Sequence, residues 1–178
     1  MTRELALWPA GASFERGDFD ARVSTASVTE NGPFSAFAGF DRILVVTSGA
    51  GLVLDHGAAA PAARVDPLRP YRFRGDWPAT ATLLAGPVAD FNVITRCGRL
   101  RADVTMIAPG QGTQTHRLVR GGALLHVLAG PVSVVAPQRC ELAAGDSLLL
   151  RDAGDGETIE VAAGAPGCVA LLVSIGGP

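Results

Sequence analysis

Short runs rich in Val, Ile, Leu and Thr recur along the chain, and a glycine, a proline or an acidic turn closes most of them. Examples are 21–28 (ARVSTASV), 42–48 (RILVVTS), 91–96 (FNVITR), 132–137 (VSVVAP) and 168–176 (CVALLVSIG). No segment spaces its apolar residues at i, i+3, i+4 and i+7, the stripe a packed helix needs. Strands this short, with turn signals about every ten residues, predict an all-β barrel or sandwich. The 22 glycines and 12 prolines supply the turns, and 48% apolar residues supply a core.

The pattern occurs twice. Residues 42–55 read strand, Gly turn, strand, and lead to a Gly-Asp pair at 75–76; residues 123–136 read the same way and lead to Gly145-Asp146. Glycine accepts positive φ and aspartate bonds nearby amides, so Gly-Asp suits a tight turn. This order is that of a cupin, a double-stranded β-helix or jelly roll. The expectation is a bicupin of two tandem barrels, an N-terminal half over 1–90 and a C-terminal half over 91–178, with the seam near 86–100.

The usual first cupin motif resembles G-x5-H-x-H-x4-E-x6-G, whose His and Glu side chains bind a divalent metal. On the C-terminal half this frame falls on Gly110, His116, Leu118, Ala123 and Gly130. One imidazole is not a site, and His116 reads as a surface or loop histidine. His126 reads as a strand residue and His56 as a turn residue. On the N-terminal half the frame falls on Thr29, Ser35, Phe37, Arg42 and Gly49, where no ligand survives. No metal and no other cofactor is expected. A guanidinium inside a barrel repels a metal ion and holds a carboxylate through two parallel hydrogen bonds. Two readings of Arg42 stand. Either it faces the cavity and binds an acid, or it turns outward to Asp41, since a register shift of one residue flips the side chain.

Adjacent runs add candidates. Arg22, Ser24 and Ala26 alternate onto one strand face, which suits a polar cavity or, alternatively, an edge strand with Arg22 in solvent. Asp90, Asn92 and Ile94 share another face. Asn92 offers both a donor and an acceptor, and either reads an amide or formyl group or closes a turn. Phe34, Phe37 and Phe40 are candidate apolar walls.

The net charge of −2 and the lack of a basic stripe argue against nucleic acid. No apolar run approaches the roughly 20 residues that span a bilayer, and the N-terminus lacks a signal-peptide pattern, so a cytoplasmic protein is expected. All 15 basic residues are arginine, which excludes lysine Schiff-base chemistry. Three widely spaced cysteines form neither a disulfide framework nor a CxxC site.

Blocks along residues 2–105 resemble the HutD/Ves family: TRE at 2–4, RVSTASV at 22–28, GPFSAFAG at 32–39, DR at 41–42, GAGL at 49–52 and DFN at 90–92. The remainder fits only as a generic second cupin. The resemblance implies a metal-free binding protein that modulates histidine utilisation, with a small anionic metabolite of the formylglutamate type as partner. Such a molecule carries two carboxylates and a formamide. Arg22 and Arg42 would meet the carboxylates, and Ser24, Ser35 and Asn92 the neutral groups, with Phe37 and Asp90 completing the site. The Ves branch is linked instead to stress. A metal-independent enzyme is a second reading, with Asp90, Glu4 or His126 as candidate bases; a protein without a small ligand is a third. Homodimer formation through exposed sheet edges stays open.

Overall fold

The computed structural model describes residues 1–110 and 112–178. The chain divides into two compact units, Met1–Leu100 and Arg101–Pro178. Among the described residues there is no helix.

The first unit contains β1 (Thr2–Trp8), β2 (Ala21–Val28), β3 (Gly32–Pro33), β4 (Phe40–Ser48), β5 (Leu52–Asp55), β6 (Ala63–Val65), β7 (Tyr71–Arg74), β8 (Thr80–Leu83) and β9 (Val88–Arg96). They form two sheets, ordered β1-β2-β9-β4-β7 and β3-β8-β5-β6. Apolar residues from both sheets, among them Leu44, Val46, Phe73, Leu52, Leu54 and Ala81, pack into one core. The second unit contains β10 (Arg101–Ile107), β11 (Thr113–Arg117), β12 (Gly121–Ala129), β13 (Val132–Ala136), β14 (Cys140–Leu142), β15 (Ser147–Ala153), β16 (Thr158–Ala163) and β17 (Val169–Gly176). Its sheets run β10-β17-β12-β15 and β11-β16-β13-β14. The fold is an all-β jelly roll, with antiparallel ladders throughout both units.

The division at Leu100/Arg101 differs from the expected 90/91. The reason is β9, which runs across 90/91 as one strand and is bonded to β2 on one side and β4 on the other. Cutting there would split the central strand of the first sheet.

The turns explain two glycines. Gly49, at φ +92°, closes β4 onto β5, and a Cβ there would lie 2.7 Å from the Pro87 carbonyl oxygen. Gly130, at φ +69°, does the same between β12 and β13, where a Cβ would lie 2.7 Å from Cys168 Sγ. Only glycine fits a left-handed turn this close to another strand.

Candidate functional site

In β2, β9 and β4, period-two alternation puts one residue of each pair on each sheet face. The ladders then line up Arg22 with Ile94 and Arg42, Ser24 with Asn92 and Leu44, and Ala26 with Asp90 and Val46. Polar side chains from three neighbouring strands thus project from one patch of one sheet. Beside this patch is a cavity of about 500 Å³. Arg22, Ser24, Ser35, Phe37, Arg42, Asp90 and Asn92 all line it.

Arg42 faces inward and is only 5% exposed. Its Nη1 donates to the Ser35 carbonyl oxygen and its Nη2 to Asn92 Oδ1, both at 2.9 Å. The Phe73, Phe37 and Phe34 rings surround the guanidinium, with centroids at 4.9, 5.3 and 5.7 Å. Its Nε–H is shielded from solvent and has no hydrogen-bond partner among the described residues. The outward reading fails because Asp41 points to the other face, 3.6 Å from Arg74.

Asp90 is 1% exposed, and its Oδ1 accepts from Asn92 Nδ2 at 2.6 Å. Asn92 therefore bridges the cation and the acid, accepting from one and donating to the other. Burial pushes the Asp90 carboxyl up to about 6, against the opposing pull of the Asn92 donor, the Arg42 charge and the Ala26 amide. Burial pushes Arg42 down to about 10, opposed by Asp90. Arg42 remains a cation at neutral pH.

Arg22 occupies the edge of the site. Its Nε donates to Glu4 Oε2 at 3.1 Å, and its guanidinium stacks 4.1 Å from the centre of the Phe14 ring. It is already paired, so the site does not hold two unopposed arginines.

Ser35 contributes its backbone carbonyl to Arg42, and its loop is held in place. Phe37 N donates to Gly75 O at 2.9 Å, Gly75 N to Phe40 O at 2.7 Å, and Gly39 N to Asp76 Oδ1 at 2.7 Å. The Gly-Asp turn therefore positions the wall of the cavity.

Several expectations require correction. Phe40 is buried in a separate apolar cluster with Leu7, Phe19 and Ile94 and does not line the cavity, whereas Phe34 and Phe37 do. His56 opens the turn after β5, its carbonyl accepting from Ala59 N at 3.1 Å, but it is not a surface turn residue. It is fully buried, with Nδ1 2.7 Å from Pro78 O and Nε2 3.0 Å from the Tyr71 hydroxyl. Because a carbonyl only accepts, Nδ1 carries the proton and Nε2 accepts from the Tyr71 hydroxyl. His116 lies in β11, not in a loop, and its Nε2 is shielded without a partner. His126 is a strand residue as expected, buried and bonded through Nδ1 to Ser147 Oγ at 2.8 Å, and it does not line the cavity.

Thr2, Phe14, Thr29 and Glu30 also line the cavity and were not anticipated. Thr2 is brought in by pairing opposite Ala26. Phe14 lies in the irregular stretch between β1 and β2, where no periodicity marks an inward side chain.

The residues do not fit the metal of the cupin frame. In the first unit the frame places a guanidinium and a phenyl ring where metal donors would stand. In the second, Leu118 and Ala123 are in the apolar core. Among the described residues no three His, Cys, Asp or Glu side chains are grouped as metal ligands.

The HutD family model matches residues 1–170. The chain belongs to the HutD family. Protein Ves of Citrobacter koseri is 32% identical over 154 residues, covering 86% of this chain and 71% of that protein. The structure of HutD from Pseudomonas fluorescens SBW25 in a formate condition superposes with a TM-score of 0.81 at 29% identity, covering 99% of this chain and 88% of that one. A conserved protein of unknown function from Pseudomonas aeruginosa PAO1 superposes with a TM-score of 0.85 at 28% identity, with the same coverage. A cupin barrel protein of Leptotrichia buccalis, 12% identical with a TM-score of 0.59, covers 99% of this chain and 88% of that one; it shares the fold alone. The HutD match takes in both β2 and β9, so the cavity lies within the family's own domain.

Proposed function

We propose that the first unit binds a small carboxylate metabolite without metal or cofactor, and that this binding modulates histidine utilisation, as membership of the HutD family implies. One observation carries the reading: the Arg42 Nε–H is buried beside the cavity and unpartnered. Burying a charge costs several kcal/mol unless its donors are met. Two of them are met by neutral oxygens. A carboxylate oxygen at Nε would meet the shielded donor and supply the opposite charge, a contact contributing about 1.5–3 kcal/mol.

A formylglutamate-like acid suits the remaining groups. Its second carboxylate would compete with Glu4 for Arg22, and its formamide would meet Ser24 or Asn92.

A second reading is a metal-independent enzyme acting on such an acid. It is favoured by Asp90 alone, a buried carboxyl held near 6 on the cavity wall. Glu4 is tied to Arg22, and His126 is not at the cavity.

The test is a thermal-shift and calorimetric screen of formylglutamate, formiminoglutamate, urocanate, glutamate and histidine. At least one should bind, and Arg42→Ala should weaken it at least about tenfold, the loss of about 1.4 kcal/mol. Equal affinity in the folded variant would overturn the reading. Turnover of a ligand, followed by NMR, would favour the enzyme.

A further inference from the structure

We infer that acid binding in this cavity is coupled to proton uptake: a carboxylate seats on Arg42 while Asp90 takes up one proton, so the site holds acids more tightly as the pH falls. The inference rests on the proposed acid site and specifies how its charge is balanced.

The geometry supplies the argument. The ionisable side chains that line the cavity, together with the direct ion partner of Arg22, are Arg22 and Arg42 against Glu4, Glu30 and Asp90. With the Met1 amino group, which also acts on Asp90, the charges balance before any ligand enters. An entering carboxylate adds a further negative charge, and like charges in a poorly solvated space raise one another's affinity for protons.

Three acids could respond. Glu4 already has Arg22 as its ion partner, and Glu30 is exposed to solvent. Asp90 is neither. It is buried, and its hydrogen-bond donors are the neutral Asn92 amide and the Ala26 backbone. Among the described residues no arginine forms an ion pair with it. The positive charges that reach it are Arg42, through the Asn92 bridge, and more weakly the Met1 amino group. A ligand carboxylate on Arg42 would neutralise the stronger of the two. Asp90 would then keep its burial penalty without the compensating charge.

The sign follows from linkage. With its carboxyl already near 6 in the ligand-free protein, Asp90 is mostly ionised at about pH 7.5 and would rise further on binding. The bound state then holds more protons, and affinity increases as pH falls towards 6. Free carboxylic acids titrate near 4 and contribute nothing in this window. Protonated Asp90 would also be a donor, able to face a ligand oxygen that ionised Asp90 would repel.

The test is calorimetry of formylglutamate and of glutarate with the full chain at about pH 7.5, in buffers of low and high ionisation enthalpy. The difference in apparent enthalpy counts the protons exchanged. The expected result is uptake approaching one proton per ligand, with affinity improving up to about tenfold between pH 7.5 and 6.5. Asp90→Asn should abolish both the uptake and the pH dependence. Binding without proton uptake by the unaltered protein would overturn the inference and leave the acid site standing, and this result needs no variant to fold. Undiminished uptake in folded Asp90→Asn would also overturn it. If neither acid binds at either pH, the proposed site and the inference fall together.

Discussion

In the first unit β9 sets Asp90 beside Val46 and Asn92 beside Leu44 on β4; in the second, β17 sets Ala170 beside Val127 and Leu172 beside Leu125 on β12. The strand orders correspond, with β2, β9, β4 and β7 matched by β10, β17, β12 and β15. Position by position, Ala123 takes the place of Arg42, and Ile107 that of Ala26. Among the described residues, fourteen buried side chains of the second unit form one apolar cluster that includes Ala123, Leu125, Ala170 and Leu172. The same scaffold thus carries apolar side chains at these positions in one unit and, in the other, a polar cavity beside an apolar core. The difference lies in a few inward positions on three strands, because a jelly roll needs only that its inner faces be filled or lined.

The largest effect should come from exchanging these contents. Ala123→Arg would bury an unpaired cation in the dry core and is expected to cost more than about 4 kcal/mol, unfolding the second unit in urea titrations. Arg42→Ala should cost only about 1–2 kcal/mol near pH 7.5, because Asp90 can protonate and water can enter the cavity. Similar costs for the two variants would break the contrast. Next in size is Leu172→Ala, expected to cost about 2–5 kcal/mol through cavity formation. Asn92→Ala, at the corresponding position, should cost less than that, read by the same unfolding assay.

Asp90→Asn sharpens the comparison through pH. The folded carboxyl is raised from 3.8 to about 6, mainly by burial. Asp90 therefore favours folding fully only below about pH 4, and that contribution is lost as pH rises through 6. The neutral variant should be more stable than the parent by about 1–3 kcal/mol near pH 7.5, with no gain near pH 4. Thermal unfolding across this range measures it. The smallest effect is Tyr71→Phe, which removes the hydroxyl donor to His56. It should cost about 1 kcal/mol and leave acid binding unchanged, since neither Tyr71 nor His56 lines the cavity.

The long strands were legible in the sequence, because β2, β4, β9, β12 and β17 each have enough Val, Ile, Leu or Thr to show their type. β11 was not. Its residues, Thr-Gln-Thr-His-Arg, are mostly exposed and carry no apolar alternation. The two-residue β3 is too short to show any period. Within the cavity, alternation alone brought Arg22, Ser24, Asp90 and Asn92 to the correct faces. What it could not show was pairing between distant strands. The Glu4 contact that occupies Arg22 depends on the β1–β2 ladder and the irregularity in its register between Glu4 and Ala6. Phe14 reaches the site from irregular chain, where sequence spacing has no fixed relation to direction. The burial of His56 likewise depends on Tyr71 and Pro78, remote in sequence and adjacent only in the fold.

The central claim is that Arg42 is an acid receptor and not a structural cation. A crystal structure of the full chain grown with saturating formylglutamate tests it directly. The expected result is a carboxylate oxygen within about 3 Å of Arg42 Nε, with the rest of the molecule in the cavity of the first unit. Formylglutamate bound elsewhere, with Arg42 Nε meeting only a protein oxygen or water, would contradict it.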